Sequence, residues 1–176
     1  MVFRKAVEAD ISAVAQIFER VVDAQDRGEL TVGWERGVYP TETTARAALE
    51  RQDLFVGQAE NGSLAATAVI NQLQVDVYRD APWQHPAEDA QVMVLHTLAV
   101  DPQWGGTGWG KAFVDFYEAY ALEHGCSCLR MDTNERNLRA RSLYRRLGYA
   151  EIDTVPCRFN GIEGVRLVLL EKYLKG

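Results

Sequence analysis

The sequence contains little of several features that would assign a protein to a class. Three of its 176 residues are cysteine and five are proline, and no apolar run approaches the roughly 18 residues of a membrane-spanning helix. Acidic residues outnumber basic ones by 25 to 19, whereas a nucleic-acid-binding domain normally carries a basic surface. We therefore expect no membrane segment and no nucleic-acid partner. The length predicts one domain, residues 1–176.

The cysteines are also too few, and wrongly spaced from histidine, to predict a metal site or a disulfide framework. Cys126 and Cys128 are two residues apart in an apolar run, so strand geometry predicts that both thiols are buried on one face. Buried free thiols suit a reducing compartment, and the opening "MVFRKAVEAD" turns acidic too early for a secretory signal. We expect a cytoplasmic protein that needs no metal.

Charge is unevenly distributed along the chain. Six arginines occur between positions 130 and 146, against Asp132 and Glu135. Four acidic residues occur between positions 76 and 89, against Arg79 alone. The first segment could bind an anion and the second a cation, or both are simply solvated surfaces.

Apolar periodicity and turn signals predict the element order β-α-α-β-β-β-α-β-α-β-β. Helices are expected after Asp10, after Thr41, at a glycine cluster and at Asn137. Strands are expected at 2–6, 53–60, 63–73, 90–100, 126–132, 149–155 and 163–174.

The glycine cluster, "QWGGTGWGKA" at 103–112, follows a strand and opens a helix. It approaches a P-loop, but Ala112 stands where that motif needs a hydroxyl for Mg²⁺. Glycines at 105, 106, 108 and 110 remove the Cβ atoms that would keep a phosphate from the free amides at the helix start. The pattern favours a pyrophosphate bound by backbone without metal. A metal-dependent nucleotide hydrolase and a purely structural strand–helix junction remain alternatives.

The segment "LAVDPQWGGTGWGKAFV" resembles the coenzyme A-binding segment of the GNAT superfamily of N-acyltransferases. Gly108 and Gly110 occupy the two glycine positions of that motif, while Gly105 replaces the usual Arg or Gln. "NLRARSLYRRLGY" at 137–149 resembles the second family motif, and "FRKAVEADISAV" resembles the opening strand and helix. The resemblance spans nearly the whole chain.

This resemblance implies an α/β (α+β) fold with a mixed, mostly antiparallel sheet of about seven strands flanked by about four helices. It also implies an N-acetyltransferase that moves an acetyl group from acetyl-CoA, its cosubstrate, to a primary amine of a small molecule or amino acid in a ternary complex. The alternative is a non-catalytic CoA-binding or interaction module of the same fold. Homodimerisation through the C-terminal strands is a further expectation.

The resemblance also implies roles for individual residues. Tyr144 is expected to protonate the departing thiolate, as a phenol is protonated at neutral pH, although simple packing is the alternative. The residues expected to contact the cofactor are Leu98, Ala99, Val100, Gly105, Gly106, Thr107, Gly108, Trp109, Gly110, Lys111, Asn137, Ala140, Tyr144 and Arg146.

The acceptor side carries two further expectations. His96 is the candidate base, because an imidazole accepts a proton at neutral pH, although a buried structural histidine is an equal alternative. Trp34, Tyr39 and Trp83 are expected to form the walls of the acceptor pocket, where an aromatic face would attract an ammonium group. These aromatic residues could instead belong to the ordinary core.

Overall fold

The computed structural model describes residues 1–174, in which seven strands form one sheet. The strands are β1 Val2–Lys5, β2 Leu54–Gln58, β3 Leu64–Asn71, β4 Val92–Val100, β5 Cys128–Asn134, β6 Ala150–Phe159 and β7 Ile162–Tyr173. The helices are α1 Ile11–Asp26, α2 Glu42–Glu50, α3 Trp109–Glu123 and α4 Leu138–Arg146. The order of strands and helices predicted from sequence is confirmed.

The sheet has the strand order β1-β2-β3-β4-β5-β7-β6. Every neighbouring pair is antiparallel except β4 and β5. Parallel neighbours need a crossover connection, which the glycine turn and α3 provide. The predicted mixed, mostly antiparallel fold is confirmed.

Each face of the sheet carries its own apolar layer. Helices α3 and α4 cover one face, where Phe113, Tyr117 and Met131 are fully buried. Helices α1 and α2 cover part of the opposite face, and the segment 72–91 covers the remainder with Tyr78 and Trp83. The sheet is therefore enclosed on both sides, and a cleft into it can open only where strands separate.

Such a separation occurs between β4 and β5. Their pairing ends at Leu95 opposite Met131, although both strands continue beyond this point. On its other side β4 carries a bulge, since Val69 pairs with His96 but Thr67 pairs with Ala99. An extra residue bends a strand and re-aims its side chains, and Thr97, within this bulge, has a positive φ of 52°.

One prediction about the cysteines is wrong. Cys126 and Cys128 are both buried and free, but Cys126 contacts the apolar layer under α3 and Cys128 the opposite layer. Strand β5 begins only at Cys128, so the alternation of strand side chains does not extend back to Cys126.

The apolar run at 165–170 is covered within the chain, because Val168 and Leu170 pack in the layer under α3 and α4 while Val165, Leu167 and Leu169 pack in the opposite layer. Homodimerisation through these strands stays a prediction. Within residues 1–174, no helix combines the length and apolar character needed to cross a bilayer.

Candidate active site

The glycine turn presents unpaired backbone donors. Gly108 is the N-cap of α3 with φ 91° and no side-chain cap. Within residues 1–174, no protein acceptor reaches the amides of Gly106, Gly108, Trp109, Gly110 and Lys111. A Cβ built at Gly106 or Gly108 meets no atom within 4 Å. The amides therefore border open space at the positive end of a helix dipole, which favours an anion.

The other positions of the turn have local structural roles. A Cβ at Gly110 would lie 3.3 Å from Leu143 Cδ2, and one at Gly105 would lie 3.0 Å from the Pro102 carbonyl oxygen. The Thr107 hydroxyl donates to the Trp104 carbonyl at 2.6 Å, and Lys111 pairs with Asp115 on the exposed face of α3. The groups of the turn that are free to bind a ligand are therefore backbone amides, because the Thr107 and Lys111 side chains already bind neighbouring residues.

The free edge of β4 continues from this turn into the sheet. The Asp101 amide donates to Ala65 on the β3 side at 2.9 Å. Because backbone groups alternate sides along a strand, Ala99 also faces β3, while Leu98 and Val100 face the gap toward β5. Of the three predicted strand contacts, Leu98 and Val100 are placed for an extended ligand and Ala99 is turned away.

Helix α4 borders the other side of the gap. The Asn137 side chain caps this helix by accepting from the Ala140 amide at 3.2 Å, and its Nδ2 donates to Thr133 at 3.3 Å. Ala140 and Tyr144 line the gap. Arg146 binds the Ser142 hydroxyl on the exposed side of the helix at 2.8 Å, so it does not point into the gap.

A cavity of about 100 Å³ lies at the inner end of the gap. It is lined by residues from β4, β5, α4, the α1–α2 loop and the β6–β7 hairpin: Val32, Gly33, Trp34, Tyr39, His96, Thr97, Leu98, Asp132, Thr133, Asn134, Asn137, Ala140, Tyr144, Phe159, Ile162, Val165 and Leu167. The structure therefore brings together Tyr144, His96, Trp34 and Tyr39, all predicted from sequence.

Tyr144 places a buried phenol at the cavity. Its side chain is 6% exposed, and no other residue of the described chain hydrogen-bonds its hydroxyl. Burial, together with the nearby Asp132 carboxylate, holds the pKa of Tyr144 well above its usual value of 10. The phenol is therefore fully protonated at neutral pH.

His96 is less suited to remove a proton. Burial is the main reason that its pKa falls to about 4, so the imidazole is neutral but weakly basic at pH 7. Its Nε2 lies 2.9 Å from Asn71 Oδ1, and Asn71 in turn donates to Asp53 at 2.8 Å. His96 Nε2 is therefore directed toward Asn71 on β3.

The α1–α2 loop and the β6–β7 hairpin close the outer side of the cavity. Tyr39 bonds the Thr97 hydroxyl and meets Phe159 edge-on, with ring centroids 5.8 Å apart. Gln25 fixes the loop by accepting from the Gly33 amide at 2.7 Å and donating to the Trp34 carbonyl at 2.8 Å. The aromatic walls are therefore held in place by hydrogen bonds from neighbouring elements.

The structure separates Trp83 from the other predicted wall residues. Its ring packs against Tyr78 and under the Arg130 guanidinium, 4.2 Å away, in the apolar layer beneath segment 72–91. Three of the four acidic residues of that segment, Asp76, Glu88 and Asp89, line a different depression, of about 740 Å³, outside the gap. The predicted basic segment is also dispersed, since Arg130 is buried and Arg141 pairs with Glu151.

One charged residue of the cavity, Asp132, is suggested by the sequence only as an acidic strand-end residue for the metal of the nucleotide hydrolase alternative. Asp132 lies on β5 and lines the cavity, and its Oδ2 accepts from the buried Tyr78 hydroxyl at 2.8 Å. Burial raises the pKa of Asp132 to about 6. The sequence does contain one sign of this residue. Asp132 ends the apolar strand segment "CSCLRMD", a few residues before the second family motif begins at Asn137.

The fold therefore has two parallel strands that separate beside an unpaired glycine turn, with a phenol and a carboxylate lining the gap. A family model described as the Acetyltransferase (GNAT) family matches residues 19–149. The chain belongs to this family and is an acetyl-transferring enzyme.

The chain is also similar in sequence and in fold to known acetyltransferases. The chain is 25% identical over 135 residues to aminoglycoside N(6′)-acetyltransferase type 1 of Stenotrophomonas maltophilia, covering 76% of this chain and 84% of that protein. A GNAT-family acetyltransferase structure from Streptococcus agalactiae superposes with a TM-score of 0.83 at 22% identity, covering 99% and 96% of the two chains. A proposed acetyltransferase of Salmonella typhimurium, solved with its cofactor acetyl-CoA, gives 0.69 at 18%, covering 99% and 94%.

Proposed function

We propose that this enzyme transfers the acetyl group of acetyl-CoA to a primary amine of a small molecule, by direct attack within a ternary complex. The observation that carries the proposal is the continuity of three features: the free amides of the glycine turn, the unpaired edge of β4, and the cavity containing Tyr144. They form one path, with an anion site at its outer end and proton-transfer groups at its inner end.

The residues of the path fit the parts of acetyl-CoA. The amides at 106–111 suit its pyrophosphate, because the glycines leave room for close approach and the helix dipole favours negative charge. The amides and carbonyls of Leu98 and Val100 suit the pantetheine arm, which would pair with β4 as an added strand does. Asn137 offers one further donor through Nδ2, and Arg139, Arg145 and Arg146 are candidates for the 3′-phosphate.

The thioester is an activated acyl donor, so this proposal needs no metal and no covalent enzyme intermediate. Tyr144 donates its hydroxyl proton to the sulfur as the C–S bond breaks. Its raised pKa keeps the hydroxyl protonated at neutral pH. Holding the donor in the gap and the acceptor in the cavity supplies the orientation that accelerates the reaction.

The closed outer side of the cavity favours a small acceptor. The contact between Tyr39 and Phe159 joins the α1–α2 loop to the β6–β7 hairpin and narrows the access that an extended polypeptide would need. A cavity of about 100 Å³ suits a small group such as an aminomethyl. The aminoglycoside acetyltransferase relative supports an amine on a small molecule as the acceptor.

An acceptor screen tests this function. The wild-type enzyme is incubated with acetyl-CoA and a panel of alkylamines, amino acids, aminoglycosides and peptides, while free CoA thiol and acetylated product are measured together. We expect equal amounts of thiol and N-acetyl product with at least one small amine. Tight binding of acetyl-CoA, with thiol release no faster than without acceptor across the whole panel, would contradict the proposal.

A further inference from the structure

Asp132 is the one acidic side chain among the residues that line the acceptor cavity. Its neighbours on β5, Met131 and Thr133, direct their side chains to the other face of the sheet because strand side chains alternate, and Thr133 borders the same cavity from there. Tyr78 reaches Asp132 from segment 72–91 and donates to Oδ2. Within residues 1–174, no hydrogen bond or ion pair to the second oxygen, Oδ1, is found.

The groups around this carboxylate are neutral near pH 7. They are Tyr39 of the α1–α2 loop, Tyr78 of segment 72–91, Tyr144 of α4 and Cys157 of β6. Burial makes the largest contribution to the raised pKa of each of these groups, and the Asp132 charge raises each pKa further.

The nearest arginine along the strand does not neutralise Asp132. Arg130 shares its face of β5, but its guanidinium donates to Gln74 at 2.6 Å and lies 3.6 Å from Glu171. Its charge is therefore used in a separate buried network. A buried carboxylate without a cation is costly, and a cationic ligand that supplied the missing charge would offset that cost.

We infer that Asp132 binds the ammonium form of the acceptor in this cavity and removes its proton, with Tyr78 as the positioning residue that directs the carboxylate. This inference rests on the proposed function and adds to it a substrate class, small primary amines that are protonated in solution. It also replaces His96 by Asp132 as the principal base.

The proton balance of the step is complete. One N–H proton of the ammonium passes to Asp132, and the freed nitrogen lone pair forms the C–N bond to the acetyl carbon. The C–S bond breaks with its electron pair on sulfur, which takes the Tyr144 proton. The second nitrogen proton restores the Tyr144 hydroxyl, and Asp132 releases its proton to water, so one proton is produced in each turnover.

Asp132 is also better matched to this task than His96. A group with pKa about 6 is ionised at neutral pH and retains more basicity than a group with pKa about 4, and bases close to the working pH are the most effective. A carboxylate in addition attracts the ammonium, which a neutral imidazole does not.

The test compares two acceptors of the same carbon skeleton: an alkylamine active in the screen and the corresponding O-alkylhydroxylamine, a much weaker base that is unprotonated at pH 8. We expect Asp132→Asn to lower kcat/KM for the alkylamine by about 100-fold or more and for the O-alkylhydroxylamine by less than 10-fold. Asp153→Asn on the exposed part of β6 is the matched control and should leave both unchanged.

Two readouts separate proton removal from a structural role. The wild-type kcat/KM should fall as the pH drops through about 6, and Tyr78→Phe should shift the midpoint of this fall to higher pH, since the Tyr78 hydrogen bond lowers the pKa of Asp132.

The second readout is thermal stability. Asp132→Asn should raise Tm at pH 8 and change it little at pH 4. The folded-state pKa lies above the unfolded value, so the ionised carboxylate destabilises the fold only as the pH rises from about 4 through 6.

Equal losses with both acceptors, a lower Tm for Asp132→Asn at pH 8, or loss of the acid limb in His96→Gln instead would each overturn the assignment. Full alkylamine activity in Asp132→Asn would overturn it while leaving the acetyltransferase function standing. Absence of activity in the wild-type enzyme with every acceptor would refute the proposed function itself.

Discussion

The proposed donor and acceptor halves of the site are built in different ways. The donor half consists of the end of β4, the glycine turn and the start of α3, all within residues 98–111, and it offers mainly backbone groups. The acceptor half consists of side chains from five separate elements, with Trp34 and Phe159 distant in sequence but lining one cavity. The first depends on a local conformation, whereas the second depends on the assembled fold.

This difference has consequences for substitution. A backbone site is damaged by adding atoms or strain and tolerates changes of side-chain chemistry. A side-chain site is damaged by removing single groups. The four predictions below test that contrast, beginning with the largest expected effect.

Gly108→Val should abolish detectable acetyl-CoA binding. A branched side chain is strained at φ 91° and would occupy the space in front of the free amides. Gly28→Val is the matched control, since Gly28 also has a positive φ, of 77°, and open space around its Cβ position. Both variants should lose about 1–2 kcal/mol in the free energy of unfolding, but only Gly108→Val should lose binding in a calorimetric titration. Equal affinities in the two variants would exclude the glycine turn as the donor site.

Tyr144→Phe should lower kcat by about 100-fold or more, because the thiolate would leave without a proton donor. Acetyl-CoA affinity should stay within about twofold of the wild type. The control is Tyr149→Phe, whose ring meets that of Tyr144 at 6.0 Å but does not line the cavity. Steady-state kinetics at several pH values would measure the difference, and an unchanged kcat would show that Tyr144 only packs.

Phe159→Ala should raise KM for the amine by up to about 10-fold with a smaller change in kcat. Aromatic pairs contribute about 0.5–1.5 kcal/mol beyond area burial, and this one holds Tyr39 over the cavity. Bulkier amines should become better acceptors at the same time. Arg158→Ala, on the exposed side of the same hairpin, should have neither effect. A variant that kept wild-type selectivity would mean that the hairpin does not limit acceptor size.

Ala112→Ser should have the smallest effect. It restores the hydroxyl that the P-loop pattern needs, but the account predicts no binding of Mg·ATP and acetyl-CoA affinity within about twofold of wild type. Thermal shift with each ligand measures this directly. Stabilisation by Mg·ATP, in either protein, would favour the nucleotide hydrolase interpretation of the glycine turn.

The contrast between the halves also explains what could be predicted from the sequence. The order of strands and helices and the glycine turn were predictable, since each depends on local periodicity, turn residues and free amides. Tyr144 was predictable because a motif at fixed spacing surrounds it.

Other features depended on tertiary contacts. The bulge at Thr97 carries no sequence signal, because a β-branched residue at positive φ is disfavoured and only the surrounding structure enforces it. The sequence shows Asp132 only as a residue near the end of a strand. Its position in the cavity and its hydrogen bond from Tyr78 depend on contacts between distant segments. Trp83 was assigned to the acceptor pocket from composition alone, and the path of segment 72–91 places it in another apolar layer.

A crystal structure of the enzyme with acetyl-CoA tests the central claim most directly. The account predicts the pyrophosphate on the amides at 106–111, the pantetheine arm along Leu98 and Val100, the sulfur within hydrogen-bonding distance of the Tyr144 hydroxyl, and the acetyl group facing the cavity of Asp132. A nucleotide bound elsewhere, with the gap between β4 and β5 empty, would contradict it.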